Sequence, residues 1–218
     1  MSLKLFFFPF AGRALPARLA FVIGNVPFVD ERVPFDKWDS SDKDSFPAGS
    51  LPVLHITDDI TGATTLVLSE SQAIYRYAGH RAGLYPSGPT EIGRVEEVLK
   101  LVEDVFSSTD PIGLMRTFHL QGDALFSARK EFVAKTIPTF ISRIEKLLVG
   151  PYTTGSTISI SDVTLFCIVR LLMSGNLDHV PVDVLEAYPR CRGVCEGVFA
   201  RPEVMAYFAK YPNEVNGA

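Results

Sequence analysis

Cysteine is scarce in this sequence. Only Cys167, Cys191 and Cys195 occur, an odd set confined to the last third of 218 residues, which excludes a disulfide framework. Cys191 and Cys195 lie one helical turn apart with His179 upstream, but a structural zinc site needs a fourth ligand and paired spacing, so no metal is expected. The four histidines (His55, His80, His119, His179) share no motif, and no His-based triad follows from them. Long apolar runs are also missing: nothing approaches the ~20 residues that span a bilayer. The apolar start, Leu5 to Phe8, is broken by Pro9, Gly12 and Arg13 too early for a signal-peptide core, so a cytoplasmic protein with no membrane partner is expected. Excess positive charge is absent too. With 21 basic against 25 acidic residues the net charge is -4, which argues against nucleic-acid binding.

What is present is enough for one large domain or two small ones, since 47% of the residues are hydrophobic. Leu3 to Phe8 has the short, apolar, Phe-rich character of a buried strand. A helix is expected from about Ala14 to Ile23, with Pro16 in its first turn and Gly24-Asn25 closing it. Phe28 to Val33 alternates and stops at Pro34, a second strand; a strand, crossover helix and strand give a right-handed parallel pair. Asp36 to Ser50 is polar and turn-rich and reads as a loop with at most a short helix.

The stretch Gly49 to Arg81 organises the rest. Leu51-Pro52-Val53-Leu54 opens a strand with proline at its mouth, Asp58 to Gly62 supplies turn chemistry, and Thr64 to Leu68 returns as a second strand. Ser69-Glu70-Ser71 then starts a helix on which Ala73, Ile74, Tyr77 and Ala78 repeat at helical spacing. A helix start bearing two hydroxyls and a carboxylate serves either as a plain cap or as a site for an anion, because its first N–H groups have no internal partner. A proline at the strand mouth can hold a cis bond and turn the preceding backbone outward. The first 81 residues thus read β-α-β, irregular, β-β-α.

Residues 82–89, with two prolines and two glycines, form a linker. Beyond it, over 90–218, strand patterns largely disappear. Val95, Val98, Leu99, Val102, Val105 and Phe106 make one helical stripe, and Phe132, Ile137, Phe140, Ile141, Ile144 and Leu148 another, with Pro138 predicting a kink. Val163 to Met173 is apolar nearly all round, as a central buried helix is. Ser159-Ile160-Ser161-Asp162 before it has the form of a capping box with Asp in place of Glu or Gln.

Leu51-Pro52-Val53-Leu54 and Glu70-Ser71-Gln72-Ala73-Ile74 together resemble the glutathione-binding fingerprint of the cytosolic glutathione transferases. The likeness extends over nearly the whole chain. Its N-terminal segment, with Lys4-Leu5, Gly12-Arg13-Ala14 and Arg18, is most similar to the sigma-type enzymes, and the capping box and the Tyr188-Pro189-Arg190 and Arg201-Pro202 motifs occur in the family's order. The resemblance implies an α/β thioredoxin-like domain followed by an all-α helical-bundle domain. It implies a homodimer, in which Glu96 or Glu97 reaches the other subunit's glutathione. It also implies a glutathione site made of Phe7, Arg13, Trp38, Lys43, Ser50, Leu51, Pro52, Glu70 and Ser71. In it Pro52 is cis, Leu51 offers its backbone to the cysteinyl unit, and Ser71 holds the γ-glutamyl carboxylate. Glu70 faces the γ-glutamyl amine, and Trp38 and Lys43 meet the glycyl carboxylate. Arg13 lies beside the thiol. Phe8 and Phe10 flank the hydrophobic substrate, together with the segment from Val105 to Met115 and the C-terminal end.

One departure stands out. The family's catalytic tyrosine falls on Phe7, and Phe6 and Phe8 on either side restore no hydroxyl. A phenyl ring donates no hydrogen bond to a thiolate. The implied activity is conjugation of the glutathione thiol to hydrophobic electrophiles, as in detoxification, with isomerase or peroxidase side activities; Arg13 is then the one catalytic candidate. The alternative is a catalytically weak glutathione-binding or ligand-carrier protein of the same fold.

Overall fold

The computed structural model describes residues 1–38, 43–44, 46–108 and 112–216, the side chains of residues 215 and 216 excepted. Four strands form one mixed sheet in the order β2-β1-β3-β4: β1 Ser2–Phe7, β2 Val29–Arg32, β3 Val53–Thr57 and β4 Thr64–Leu68. β1 and β2 are parallel, and helix α1, Leu15–Ile23, crosses between them, as the alternation of strand, helix and strand predicts. β1 with β3, and β3 with β4, are antiparallel. The period of two along β1 sends Leu3, Leu5 and Phe7 into the core and leaves Lys4 and Phe6 on the opposite face. The polar loop expected over Asp36 to Ser50 begins with a single 3-10 turn, Phe35–Lys37, and lies in part outside the described residues.

Helix α2, Ser71–Arg81, follows β4. The next helix, α3, runs Pro89–Ser107, so Pro89 is its first residue rather than the last of a linker; proline is pre-set for that place because its missing N–H is one of the unpaired donors there. Helices α4 (Gly122–Glu131), α5 (Ile137–Leu147), α6 (Ile160–Leu172), α7 (Pro189–Phe199) and α8 (Pro202–Lys210) complete an all-helical half. At Pro138, where a kink is expected, the chain passes through a π-helical turn over Phe132–Thr136: the N–H of Ile137 reaches back to the Phe132 carbonyl, which reroutes the bonding where proline supplies no donor.

Helix α6 is the centre of the bundle. Ten of its thirteen residues are buried, and it packs on α1, α3 and α7. The Ser159–Asp162 capping box is present. Asp162 is fully buried and accepts four hydrogen bonds, from the N–H of Ser159 (2.8 Å), the hydroxyl of Ser159 (2.6 Å), and the N–H and hydroxyl of Thr153 (both 2.7 Å). The three cysteines are free thiols, and no cluster of possible metal ligands occurs among the described residues. No described helix is long and apolar enough to cross a membrane.

Candidate functional site

Strand register gathers the expected site residues at one end of the sheet. Phe6 pairs with Val53 and Leu54 with Leu68, so Phe7 at the close of β1, Leu51-Pro52 just before β3 and Ser71 just after β4 lie at the same edge. Phe7 pairs with Arg32 at the close of β2, which brings Phe35 and Trp38 to that edge as well. The Leu51–Pro52 peptide is cis. Glu70, extended and exposed, is the residue before the first turn of α2, and Ser71 is buried at its first helical position. Ser50 is exposed, Leu51 half-buried and Lys43 exposed.

Arg13 is built into this edge from a short helical turn, Gly12–Ala14. Gly12 before it has φ +41°, and a Cβ there would stand 2.5 Å from the Phe10 ring and 2.7 Å from the Phe7 ring, so only glycine lets the turn lie on those rings. The Arg13 guanidinium donates to the Ser71 hydroxyl at 3.1 Å, to both carboxylate oxygens of Glu103 at 3.1 and 3.0 Å, and to the Ser107 hydroxyl at 2.5 Å. It also lies 4.5 Å from the centre of the Phe106 ring. Tyr75 donates to the Arg13 carbonyl at 2.6 Å and secures the turn from below. Arg13 thus points to the start of α2 and is held by a carboxylate from the helical half.

Glu103 was not visible to sequence reasoning, because it belongs to the polar face of an ordinary amphipathic helix. It also accepts from Gln72 at 3.0 Å, so α3 is tied to the first turn of α2. Burial pushes the Glu103 carboxyl up, but its bonds from Arg13 and Ser107 and the Arg13 charge outweigh this and hold it below the usual carboxylate range. A depressed carboxyl contributes stability above its unfolded pKa and loses it as pH falls through the lower folded value. The wild-type protein is therefore expected to lose thermal stability in acid, below the usual carboxylate range, more steeply than Glu103→Gln; parallel melting curves against pH for the two would refute this.

A cavity opens beside the Arg13 turn, lined by Gly12 and Arg13, by Val102 and Phe106 of α3, and by Cys167 and Leu171 of α6. Burial raises the Cys167 thiol well above its ordinary pKa, so this cysteine is a neutral apolar wall rather than a nucleophile. Phe8 and Phe10 do not line this cavity. Their rings lie nearly parallel to each other and to Phe35, with centroids 4.7 to 6.0 Å apart, and the Trp38 ring meets Phe8 edge-on at 5.9 Å. Trp38 also packs on Phe46 at 5.8 Å. Glu96 is engaged within its own chain, ion-paired with Arg76 and accepting from Tyr85 at 2.5 Å, whereas Glu97 on the same helix is exposed.

Residues 114–211 match the family described as glutathione S-transferase, C-terminal domain. A class-mu 28 kDa glutathione S-transferase isozyme of Schistosoma japonicum is 29% identical over 180 residues, which cover 81% of this chain and 80% of that one. The solved structure of the glutathione S-transferase from Ascaris lumbricoides superposes with TM-score 0.79 at 26% identity, over 96% of this chain and 97% of that one. Over nearly its whole length the chain is similar to the glutathione transferases. A sigma class transferase of Fasciola hepatica shares the fold, with TM-score 0.81 at 23% identity over 96% of each chain. Phe7, at the close of β1, is only 4% exposed.

Proposed function

We propose that the edge formed by Phe7, the cis Leu51-Pro52 peptide and Ser71 binds glutathione and presents its thiol to hydrophobic electrophiles. The observation that carries this reading is the meeting of a buried hydroxyl, a helix start and a cation at Ser71, which suits a carboxylate. Ser71 and the first N–H groups of α2 take the γ-glutamyl carboxylate, with Arg13 as its counter-charge. Glu70 faces the ammonium, and the backbone of Leu51 pairs with the cysteinyl unit beside Ser50 and Pro52. Trp38 and Lys43 take the glycyl carboxylate. The thiol then lies toward Phe7 and the Gly12–Arg13 turn, and the apolar cavity bounded by Phe106, Cys167 and Leu171 receives the electrophile. Phe8 and Phe10 bound the thiol from the other side. The working unit is a homodimer in the cytoplasm, and catalysis uses no metal.

The chemistry required of the protein is modest. Conjugation needs a thiolate, an electrophile held in line and the absence of competing water. The test is retention on immobilised glutathione together with a chromogenic conjugation assay. Retention with turnover supports the proposal; retention without turnover leaves a glutathione-binding protein, and failure to be retained removes the assignment.

The glycyl-end contacts have their own check. Lys43 is exposed, so its attraction to a carboxylate is screened. Lys43→Ala is expected to weaken glutathione binding by about 1 kcal/mol at low ionic strength and less at high salt. Titration calorimetry with no change at low salt would take Lys43 out of the site.

A further inference from the structure

A second cluster of charges lies beneath the loop that follows β1, and none of its residues lines the cavity. Arg18 of α1 is completely buried. Its guanidinium donates to the Phe10 carbonyl at 2.6 Å, the Phe8 carbonyl at 3.2 Å and Asp30 of β2 at 3.0 Å, and it lies 5.7 Å from the centre of the Phe7 ring. The same head group is 3.8 Å from Glu214, in the turn Pro212–Asn216 that follows α8. Glu214, itself only 3% exposed, is ion-paired with Arg32 of β2 and accepts from the Tyr207 hydroxyl at 2.6 Å. Arg32 also donates to Asp30 at 2.8 Å and stacks over Tyr211 at 4.0 Å. The cluster is therefore two arginines and two carboxylates, of which the C-terminal segment supplies one carboxylate.

We propose that Glu214 is a positioning residue for the thiol site, acting through Arg18 on the Phe8–Phe10 backbone. Buried charges need pairing and full hydrogen bonding, and here they balance only when Glu214 is in place. Without it, Arg18 and Arg32 compete for Asp30 alone. Arg18 keeps its Nε bond to Asp30 but loses the carboxylate beside Nη1, the nitrogen that donates to the Phe10 carbonyl, and its head group is no longer held against the loop carbonyls. The loop that loses its anchor is the one from which Phe8, Phe10 and the Gly12–Arg13 turn project. The far end of the helical half thus sets the geometry of a loop that begins at the end of β1. This role rests on the proposed glutathione site, but the anchoring of the loop does not.

The test uses the full chain with Glu214→Gln, which keeps the shape and removes the charge, and Glu214→Asp as the conservative control. Amide hydrogen exchange followed peptide by peptide reads the loop directly. In Glu214→Gln, exchange over residues 8–13 is expected to quicken about tenfold while the helices α3 and α6 stay protected, and Glu214→Asp is expected to restore most of the protection. In the same variant, kcat for conjugation falls by a larger factor than the dissociation constant for glutathione rises, because Ser71, Leu51 and Trp38 stay in place and only Arg13 lies on the loosened loop. Faster exchange confined to residues 212–216, or spread evenly over the chain, overturns the proposal. If the native chain shows no turnover, the exchange pattern alone decides, so failure of the glutathione reading and failure of the Glu214 role are seen separately.

Discussion

Phe7→Tyr is expected to raise the conjugation rate on the order of ten- to a hundredfold, because a positioned donor to a developing anion is worth about that much or more. A free thiol has a pKa of about 8.5, so little thiolate exists at neutral pH without help. The Phe7 ring offers none, and residue 7 ends β1 at the same edge as Leu51-Pro52 and Ser71. Arg13 is the cation built into that edge, but its guanidinium is already shared between Glu103, Ser107 and Ser71. Its charge is partly compensated, so it activates the thiol less than a free arginine would. Arg13→Ala should raise the pKa of bound thiol, seen as lost ultraviolet thiolate absorbance. That variant leaves the Glu103 carboxylate unpaired, and Arg13→Ala with Glu103→Gln is the control for this. If Phe7→Tyr changes nothing and Arg13→Ala abolishes turnover, the arginine suffices. If neither matters, the activation assignment is wrong.

Asp162→Ala is expected to lower the unfolding free energy by about 2–5 kcal/mol, well beyond the ~1 kcal/mol of an ordinary helix cap. The larger figure follows from the burial of Asp162 and from what it satisfies. Two backbone N–H groups, of Thr153 and Ser159, would lose their acceptor in the interior. Burial raises the pKa of Asp162, and the hydrogen bonds from Ser159 and Thr153 oppose that rise. The measurement is the urea midpoint at constant slope, which reports stability rather than a changed denatured state. A loss below about 1 kcal/mol would mean that the Thr153 contacts contribute nothing beyond the cap.

Much of this was readable from local chemistry. The β1-α1-β2 unit, the two strands from Leu51-Pro52 to Leu68, the Ser71 helix start, the cap at Ser159 and the break at Pro138 all depend on neighbours within a few residues, where period, turn chemistry and missing donors act directly. The cis Leu51-Pro52 peptide and the helix start at Ser71 come from continuous segments for the same reason. Pro89 was misplaced by one residue because a proline closing a linker and one opening a helix have the same neighbours. Glu96 and Glu103 lie two turns apart on one helix, and nothing local says that one meets Arg76 and the other Arg13.

The sequence by itself determined a thioredoxin-like half, an all-helical half and a phenylalanine, without a hydroxyl, at position 7. Only the tertiary structure decided how the charges are shared. Arg13 is held by Glu103, ninety residues on, and Arg18 by Asp30 and by Glu214 near the other end of the chain. Buried charges are placed by whichever opposite charge folding brings within reach, and that distance is set by helix packing rather than by spacing along the chain.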